Sequence, residues 1–284
     1  EKEFHYLRTI NHSIKIREKL RKSKNITIVG AGYIGLEVAS VAIKKNLEVR
    51  VLEMENRAMR RVVSAEVSDF FQNKHQLEGV KFMFNTYITH IEDHGKQKKI
   101  ICSDGSYFNS DVVIVGVGIE PNNDLAKISG LKCNNGILVN ENGQTSDPHI
   151  FAVGDCCNHP NKIFKQRLRL ESVQNAVEQA KSIAGFITGN KQPYQKVPWF
   201  WSDQYNIKLQ IAGISQDHDN IVMRGCPSDE KFTIFYQKEN RLVAVEAINS
   251  PKEFMIGKRW IAKQAKIPIS LVRDMTVDLK KIDA

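Results

Sequence analysis

Ile26-Thr-Ile-Val-Gly-Ala-Gly-Tyr-Ile-Gly-Leu-Glu37 decides the fold. A short β-branched run feeds a tight turn with glycines at 30, 32 and 35. An apolar-periodic helix follows, and a second strand, Glu48-Val-Arg-Val-Leu-Glu53, ends in an acid. This is the strand–turn–helix context in which a dinucleotide is gripped. Gly30 makes the turn, Gly32 lets the backbone approach a pyrophosphate, and Gly35 lets the helix pack close to its strand. Free N–H groups and the dipole at the helix N-terminus favour the anion. Glu53 stands where a carboxylate accepts from the hydroxyls of an adenosine ribose and repels a 2′-phosphate, so NADH is expected over NADPH. Arg57, Arg60 and Arg61 follow closely and leave the opposite preference open.

The rest of the 284-residue chain is long enough for two or three domains. Its 42% hydrophobic and 26% charged residues are ordinary for a globular protein. No apolar run is long enough to span a bilayer, so no membrane association is expected. The 41 Lys and Arg against 32 Asp and Glu leave a net charge of +9. That excess reads either as a solvated basic surface or as steering toward an acidic partner. No stretch interleaves dense Lys and Arg with aromatics, which argues against nucleic acid. Five cysteines without framework spacing suit a reducing, cytoplasmic compartment.

Along the chain, Phe4 to Lys24 reads as an extended lead-in and a short basic helix. After the acid-terminated strand, Ser64 opens a helix with Val67, Phe70, Phe71 and Leu77 on one face, and Gly79 ends it. β-rich segments follow at 80–84, 87–92 and 99–102, with a turn at Asp104-Gly105. Asp111-Val-Val-Ile-Val-Gly-Val-Gly118 is apolar at nearly every position, the pattern of a strand buried on both faces. Beyond Pro121 a helical patch and a hairpin at 136–139 lead to Asp155. A helix over 171–188 is apolar at Val173, Ala176, Val177, Ala180, Ile183, Ala184 and Ile187, with Gly189 as its stop. Four strand patterns then span 208–249, and Ser250-Pro-Lys-Glu253 reads as a capping box opening a last helix.

Several of these stretches match a known family. Tyr6-Leu-Arg-Thr9, the glycine run with Glu37, Arg61-Val-Val-Ser64, Gly116-Val-Gly-Ile-Glu-Pro-Asn122 and Ile150-Phe-Ala-Val-Gly-Asp155 resemble the FAD-dependent pyridine nucleotide-disulphide oxidoreductases. Glu171-Ser-Val-Gln-Asn-Ala-Val-Glu-Gln-Ala180 and Pro198-Trp-Phe-Trp-Ser-Asp-Gln204 narrow the resemblance to the NADH-dependent ferredoxin reductases of bacterial oxygenases. The resemblance implies an α/β fold. It comprises a Rossmann-like NAD-binding domain (1–120), the second half of a split FAD-binding domain (121–197) and an α+β C-terminal domain (198–284). It implies hydride transfer from NADH to FAD, with single electrons passing to a ferredoxin-type iron–sulfur protein and, indirectly, to an oxygenase. Cofactor contacts carry over to Gly30, Gly32, Tyr33, Ile34, Gly35, Glu53, Arg61, Gly116, Gly118, Ile119, Gly154, Asp155, Glu171, Ser172, Val173, Trp199 and Trp201. Glu37 carries over to the nicotinamide–flavin junction.

Each carried role has a plainer reading beside it. Asp155 either accepts from the ribityl hydroxyls of a flavin or caps a helix. Glu37 serves the junction or is an acid favoured by a helix N-terminus. Trp199 and Trp201 share one strand face, as core aromatics or as the wall of a flavin pocket. Cys156 and Cys157 are adjacent rather than a Cys-x-x-Cys pair, and His159 lacks a second spaced pair, so no metal site is expected. The same fold with a disulfide, quinone or nitrite-linked acceptor, and a non-catalytic NAD-binding module, are the competing functions. The absence of a usable disulfide and the 199–204 signature weigh against the disulfide case. One departure stands out: the family's other glycine fingerprint, which holds the ADP half of FAD, is absent. Either a fragment or loss of the FAD site is expected, and the opening Glu1-Lys-Glu-Phe4, without Met, favours the fragment.

Overall fold

A computed structural model describes residues 4–282 apart from 96, 191 and 217. The chain forms two compact units, one of Glu1–Ile119 with Ser202–Ile207, the other of Glu120–Trp201 with Lys208–Ala284.

In the first unit the order is β1 (His5–Tyr6), α1 (Ile10–Leu20), β2 (Asn25–Val29), α2 (Tyr33–Ile43), β3 (Glu48–Leu52), α3 (Ala65–Leu77) and β4 (Lys81–Met83). Then come β5 (Ile88–His94), β6 (Gln97–Cys102), β7 (Tyr107–Ser110) and β8 (Val112–Val115). A parallel sheet runs β1-β8-β2-β3-β4, and β5-β6-β7 form a separate antiparallel meander. Ile26, Ile28, Val49, Val51 and Val112–Ile114 are all buried, which is why the strands read as continuous apolar runs. Asp111 staples the near end of the sheet. Its Oδ2 accepts from the backbone N–H groups of Lys24 and Asn25 at 2.7 and 3.1 Å, and its Oδ1 from Gln97 Nε2 at 2.8 Å. Burial alone would raise its pKa, but these donors outweigh it and hold the carboxyl below its ordinary value.

Helix α3 starts where the sequence places it, with Ser64 Oγ accepting from Val67 N at 3.2 Å. Its buried face differs from the expected one: Leu77 is 87% exposed, whereas His75, four residues beyond buried Phe71, is fully buried. The chain at that position turns a polar ring inward because partners wait for it there.

The second unit contains α4 (Asp124–Ile128), β9 (Ile137–Leu138), β10 (Cys157–Asn161), β11 (Gln166–Leu168) and α5 (Val173–Ile187). β12 (Trp199–Gln204), β13 (Ile207–Gly213), β14 (Asn220–Cys226), β15 (Lys231–Lys238), β16 (Arg241–Ile248), α6 (Pro251–Ala262) and α7 (Ile269–Arg273) follow, with Ser202–Ile207 counted in the first unit. β13 to β16 are antiparallel in the sheet β12-β13-β16-β15-β14, cored by Phe235, Val245, Phe254 and Trp260.

Three local expectations are corrected. The 136–139 stretch is more than a hairpin strand: Ile137 bridges Cys133 antiparallel and Gly143 N donates to the Asn140 carbonyl at 3.0 Å in the turn beyond, but the named pairing of β9 is parallel, with Ile137 opposite Cys157 of β10. The capping box at 250–253 does not close: Pro251 opens α6, but Ser250 Oγ donates back to the Ile248 carbonyl at 2.9 Å. On α5, Val173, Val177 and Ile187 are exposed, while Asn175, Gln179 and Ile183 are buried. Of the apolar stripe only Ile183 reaches the buried face, which is otherwise polar and hydrogen-bonded.

Candidate functional site

The glycine turn of the first unit is closed to any larger residue at two of its three positions. Gly30 sits at φ +100°, and a Cβ there would lie 2.5 Å from the Gly116 carbonyl oxygen; one on Gly35 would lie 2.1 Å from the Gly30 oxygen. Gly32 differs, because its Cβ would meet only the Gly116 oxygen, at 4.0 Å. Gly32 is also the N-cap of α2 and makes no side-chain cap hydrogen bond, so no capping side chain covers that helix end. Tyr33 and Ile34 form the first turn of α2 beside it.

Glu53 is tied into this turn. Its Oε2 accepts from Ala31 N at 2.7 Å and its Oε1 from Glu55 N at 2.9 Å. The carboxylate is fixed at the end of β3, with lone pairs left for ribose hydroxyls. The arginines that left NADPH open are largely committed elsewhere. Arg57 donates to the carbonyls of Arg60, Val63 and Ser64 at 3.1 Å each. Arg60 pairs with Glu55 at 2.9 Å, and Arg61 is exposed. Gly116 N donates to the Val29 carbonyl at 2.8 Å, bringing the Gly116–Ile119 loop against the same turn, with Val117 and Ile119 exposed.

In the second unit Gly154, Asp155 and the start of α5 come together. Gly154 N donates to Gln179 Oε1 at 2.7 Å, and the Cys157 thiol donates to the same oxygen at 3.1 Å. Ser172 caps α5, accepting from Asn175 N at 3.1 Å, so Asp155 is not the cap of that helix. Asp155 is exposed, and among the described residues its carboxylate accepts no hydrogen bond. Arg169 bridges the region by donating to the Asp155 carbonyl at 3.3 Å and pairing with Glu171 at 2.7 Å. Val173 lies exposed on the first turn of α5. Burial pushes the Cys157 thiol up to about 12, which removes it as a nucleophile near neutral pH. Among the described residues no His, Cys, Asp and Glu cluster could hold a metal ion.

Trp199 and Trp201 stand as ring neighbours, centroids 5.5 Å apart and tilted by 35°. Trp199 N is held by Gln174 Oε1 at 3.2 Å, its ring meets Phe254 edge-on at 5.8 Å, and Lys258 Nζ lies 5.0 Å over it. Trp199 packs against the core of the C-terminal sheet and is half-buried, so the core reading describes it in part.

Glu37 is half-buried on α2 and accepts from Ser202 Oγ at 2.6 Å. Burial raises its pKa, opposed by the Ser202 hydroxyl and the Asp203 backbone N–H. The sequence signals the 199–204 motif but gives Ser202 and Gln204 no role, and it gives no sign of His75. The available clue was the apolar-face spacing from Phe71 to His75.

Residues 1–180 match the Pyridine nucleotide-disulphide oxidoreductase family, and residues 199–283 match the Reductase C-terminal family. The chain is 40% identical over 284 residues to putidaredoxin reductase of Pseudomonas putida, covering 99% of this chain and 67% of that protein. Rhodocoxin reductase of Rhodococcus erythropolis is 38% identical over 277 residues, covering 97% of this chain and 65% of that one. The chain thus spans about two thirds of the length of these curated relatives. Among solved structures, the ferredoxin reductase for the CYP199A2 system of Rhodopseudomonas palustris superposes with a TM-score of 0.94 at 38% identity, covering 97% of this chain and 69% of that one. The covalent putidaredoxin reductase–putidaredoxin complex gives 0.95 at 39%, covering 98% and 68%. The chain belongs to the pyridine nucleotide-disulphide oxidoreductase family, in its ferredoxin-reductase branch.

Proposed function

We propose that this chain is the NADH-binding and C-terminal part of a flavoprotein that passes electrons from NADH to a ferredoxin-type iron–sulfur protein, and through it to an oxygenase. The observation that carries the reading is the nucleotide cradle. Gly30 and Gly35 exclude any side chain, a Cβ on Gly32 would meet only one atom at 4.0 Å, and two backbone N–H groups fix the Glu53 carboxylate at the end of β3. The similarity to reductases named for putidaredoxin and rhodocoxin supplies the acceptor class.

In this reading residues 1–120 bind NADH, residues 121–197 contribute the second half of an FAD domain, and residues 198–284 form the C-terminal domain. The open helix end at Gly32–Ile34 takes the pyrophosphate, Glu53 the adenosine ribose, and the Gly116–Ile119 loop and Arg61 the flanks of the nucleotide. The residues of the second unit fit FAD: Asp155 offers an unpartnered carboxylate to ribityl hydroxyls beside Gly154 and the Glu171–Val173 turn, and Trp199 and Trp201 offer ring faces. Bound FAD supplies the chemistry of taking a hydride and releasing electrons singly. Glu37 orients the nicotinamide end. Five unpaired cysteines, two of them buried, fit a reducing, cytoplasmic setting, and among the described residues no helix is long and apolar enough to cross a membrane.

The test measures oxidation of NADH and of NADPH by the FAD-loaded flavoprotein in which this chain is joined to the other half of the FAD domain, with a purified ferredoxin and with a small dye as acceptors. Faster turnover with NADH, with the ferredoxin reduced, is the expected result. Reduction of a disulfide or quinone in place of ferredoxin would assign the protein to a different acceptor class.

A further inference from the structure

Behind Glu37 lies a row of buried polar groups that the proposed reaction does not by itself require. Ser202 Oγ meets Glu37 Oε1 at 2.6 Å, and Gln204 Nε2 meets Ser202 Oγ at 3.1 Å. Gln204 Oε1 meets His75 Nε2 at 2.8 Å, and His75 Nδ1 meets the Tyr205 hydroxyl at 2.9 Å. Ser202, Gln204 and His75 are each fully buried, and all the groups belong to the first unit.

With Glu37 ionised, hydrogen-bond capacity fixes the direction of every link. An ionised carboxylate only accepts, so the single Ser202 hydroxyl hydrogen goes to Glu37. Ser202 Oγ then accepts from the Gln204 amide, whose carbonyl oxygen is left facing His75. A carbonyl only accepts, so His75 carries its hydrogen on Nε2 and presents a lone pair on Nδ1 to the Tyr205 hydroxyl. Burial, which pushes the His75 pKa down to about 4, keeps the ring in this neutral form. Every donor points the same way, toward Glu37.

We propose that His75, Gln204 and Ser202 are positioning residues that orient the Glu37 carboxylate and hold it ionised for the hydride-transfer step. The proposal rests on the reading of Glu37 as a residue at the nicotinamide end. The row is not a proton wire, because the Gln204 amide sits in its middle and does not release N–H protons near neutral pH. Its effect is orientation and aligned dipoles in a low-dielectric interior. Three consecutive buried polar groups are tolerable only if each link is made, so loss of one link is felt at the carboxylate. The charged groups around the row are Asp203 beside Glu37, Lys74 and Glu78 beside His75, and Lys44, whose ammonium donates to the Tyr205 carbonyl at 3.1 Å. Asp203 disfavours ionised Glu37, and the row works against it.

The test follows Glu37 by carbon-13 NMR of glutamate-labelled protein, assigned with Glu37→Gln, in the wild type and in Ser202→Ala, Gln204→Leu and Tyr205→Phe. Gln204→Leu touches neither Glu37 nor a nucleotide. It is expected to raise the Glu37 pKa by about one unit, with a larger shift for Ser202→Ala and a smaller one for Tyr205→Phe. In the FAD-loaded protein, Gln204→Leu is expected to slow hydride transfer about tenfold with little change in KM for NADH. Nitrogen-15 NMR of His75 is expected to show the neutral Nε2–H tautomer down to about pH 5. If Gln204→Leu does not fold, Tyr205→Phe, which removes one hydroxyl at the half-exposed end, carries the same comparison. A Glu37 titration unchanged by these variants, or an Nδ1–H tautomer, would overturn the proposal even if Glu37→Gln slows hydride transfer. A shifted titration in a protein where Glu37→Gln leaves hydride transfer untouched would keep the orienting row, overturn its part in hydride transfer and fault the reading of Glu37.

Discussion

Both carboxylate oxygens of Glu53 accept from backbone N–H groups, one of them inside the glycine turn itself. The residue therefore shapes the turn as well as standing where the proposed function places the ribose. Glu53→Gln replaces one acceptor with a donor that faces either a backbone N–H or a ribose hydroxyl. NADH affinity should fall by about 1–3 kcal/mol while the gap to NADPH narrows. Calorimetric titration with both nucleotides checks it, and an equal loss for the two would remove the ribose role. His75 and His159 carry a second expectation. Burial holds each near pKa 4 against an ordinary 6.5, with the cation of Arg167 adding to the effect at His159. Between those values the unfolded chain binds more protons than the folded one, so stability falls as pH drops from 6.5 toward 4 and levels off below. Each ring can account for up to about 3 kcal/mol. Urea melts at pH 7, 5.5 and 4.5 should show the loss, and His75→Asn should flatten the slope. A slope unchanged by His75→Asn would place the acid sensitivity elsewhere.

The strand–turn–helix element shows most plainly what a sequence can reveal. Gly30, Gly32 and Gly35 act within six residues of one another, so their steric roles are written locally. The structure separates them further. Gly35→Ala would place a Cβ 2.1 Å from a carbonyl oxygen and should cost about 1–3 kcal/mol of stability. Gly32→Ala, in open space, should leave the melting temperature within a degree or two of wild type and weaken NADH binding instead. A reversed pattern in melting and binding would mean that the two glycines have been given each other's roles. Elements whose logic is long-range were not legible. His75 occupies an apolar-face position, and its partner Gln204 lies 129 residues away. The apolar stripe of α5 is buried only at Ile183, because periodicity reports amphipathicity and not which side is covered. Asn175 and Gln179 are buried there by bonds to Tyr194, Gly154 and Cys157 that no spacing announces. Ser250 fits a capping pattern, yet its hydroxyl donates back to the Ile248 carbonyl and accepts from no first-turn N–H of α6.

At the scale of the whole molecule the relevant quantity is charge. The excess of nine positive charges fits either surface solvation or attraction to an acidic partner, and membership of the ferredoxin-reductase branch favours the second. A long-range field acts on encounter rather than on the chemistry that follows, so the two can be separated by acceptor. Reduction of a small neutral dye needs no docking and should change little with salt. Ferredoxin reduction below saturation should fall as ionic strength rises, because the Debye length shrinks from about 30 Å at 0.01 M to about 10 Å at 0.1 M. The FAD-loaded flavoprotein in which this chain is joined to the other half of the FAD domain, assayed with both acceptors over that range, should lose several-fold in kcat/KM for ferredoxin while the dye rate holds. A parallel decline with both acceptors would trace the salt effect to nucleotide or flavin binding. A flat response with ferredoxin would leave the basic surface without a part in recognition, and the docking would then rest on short-range contacts alone.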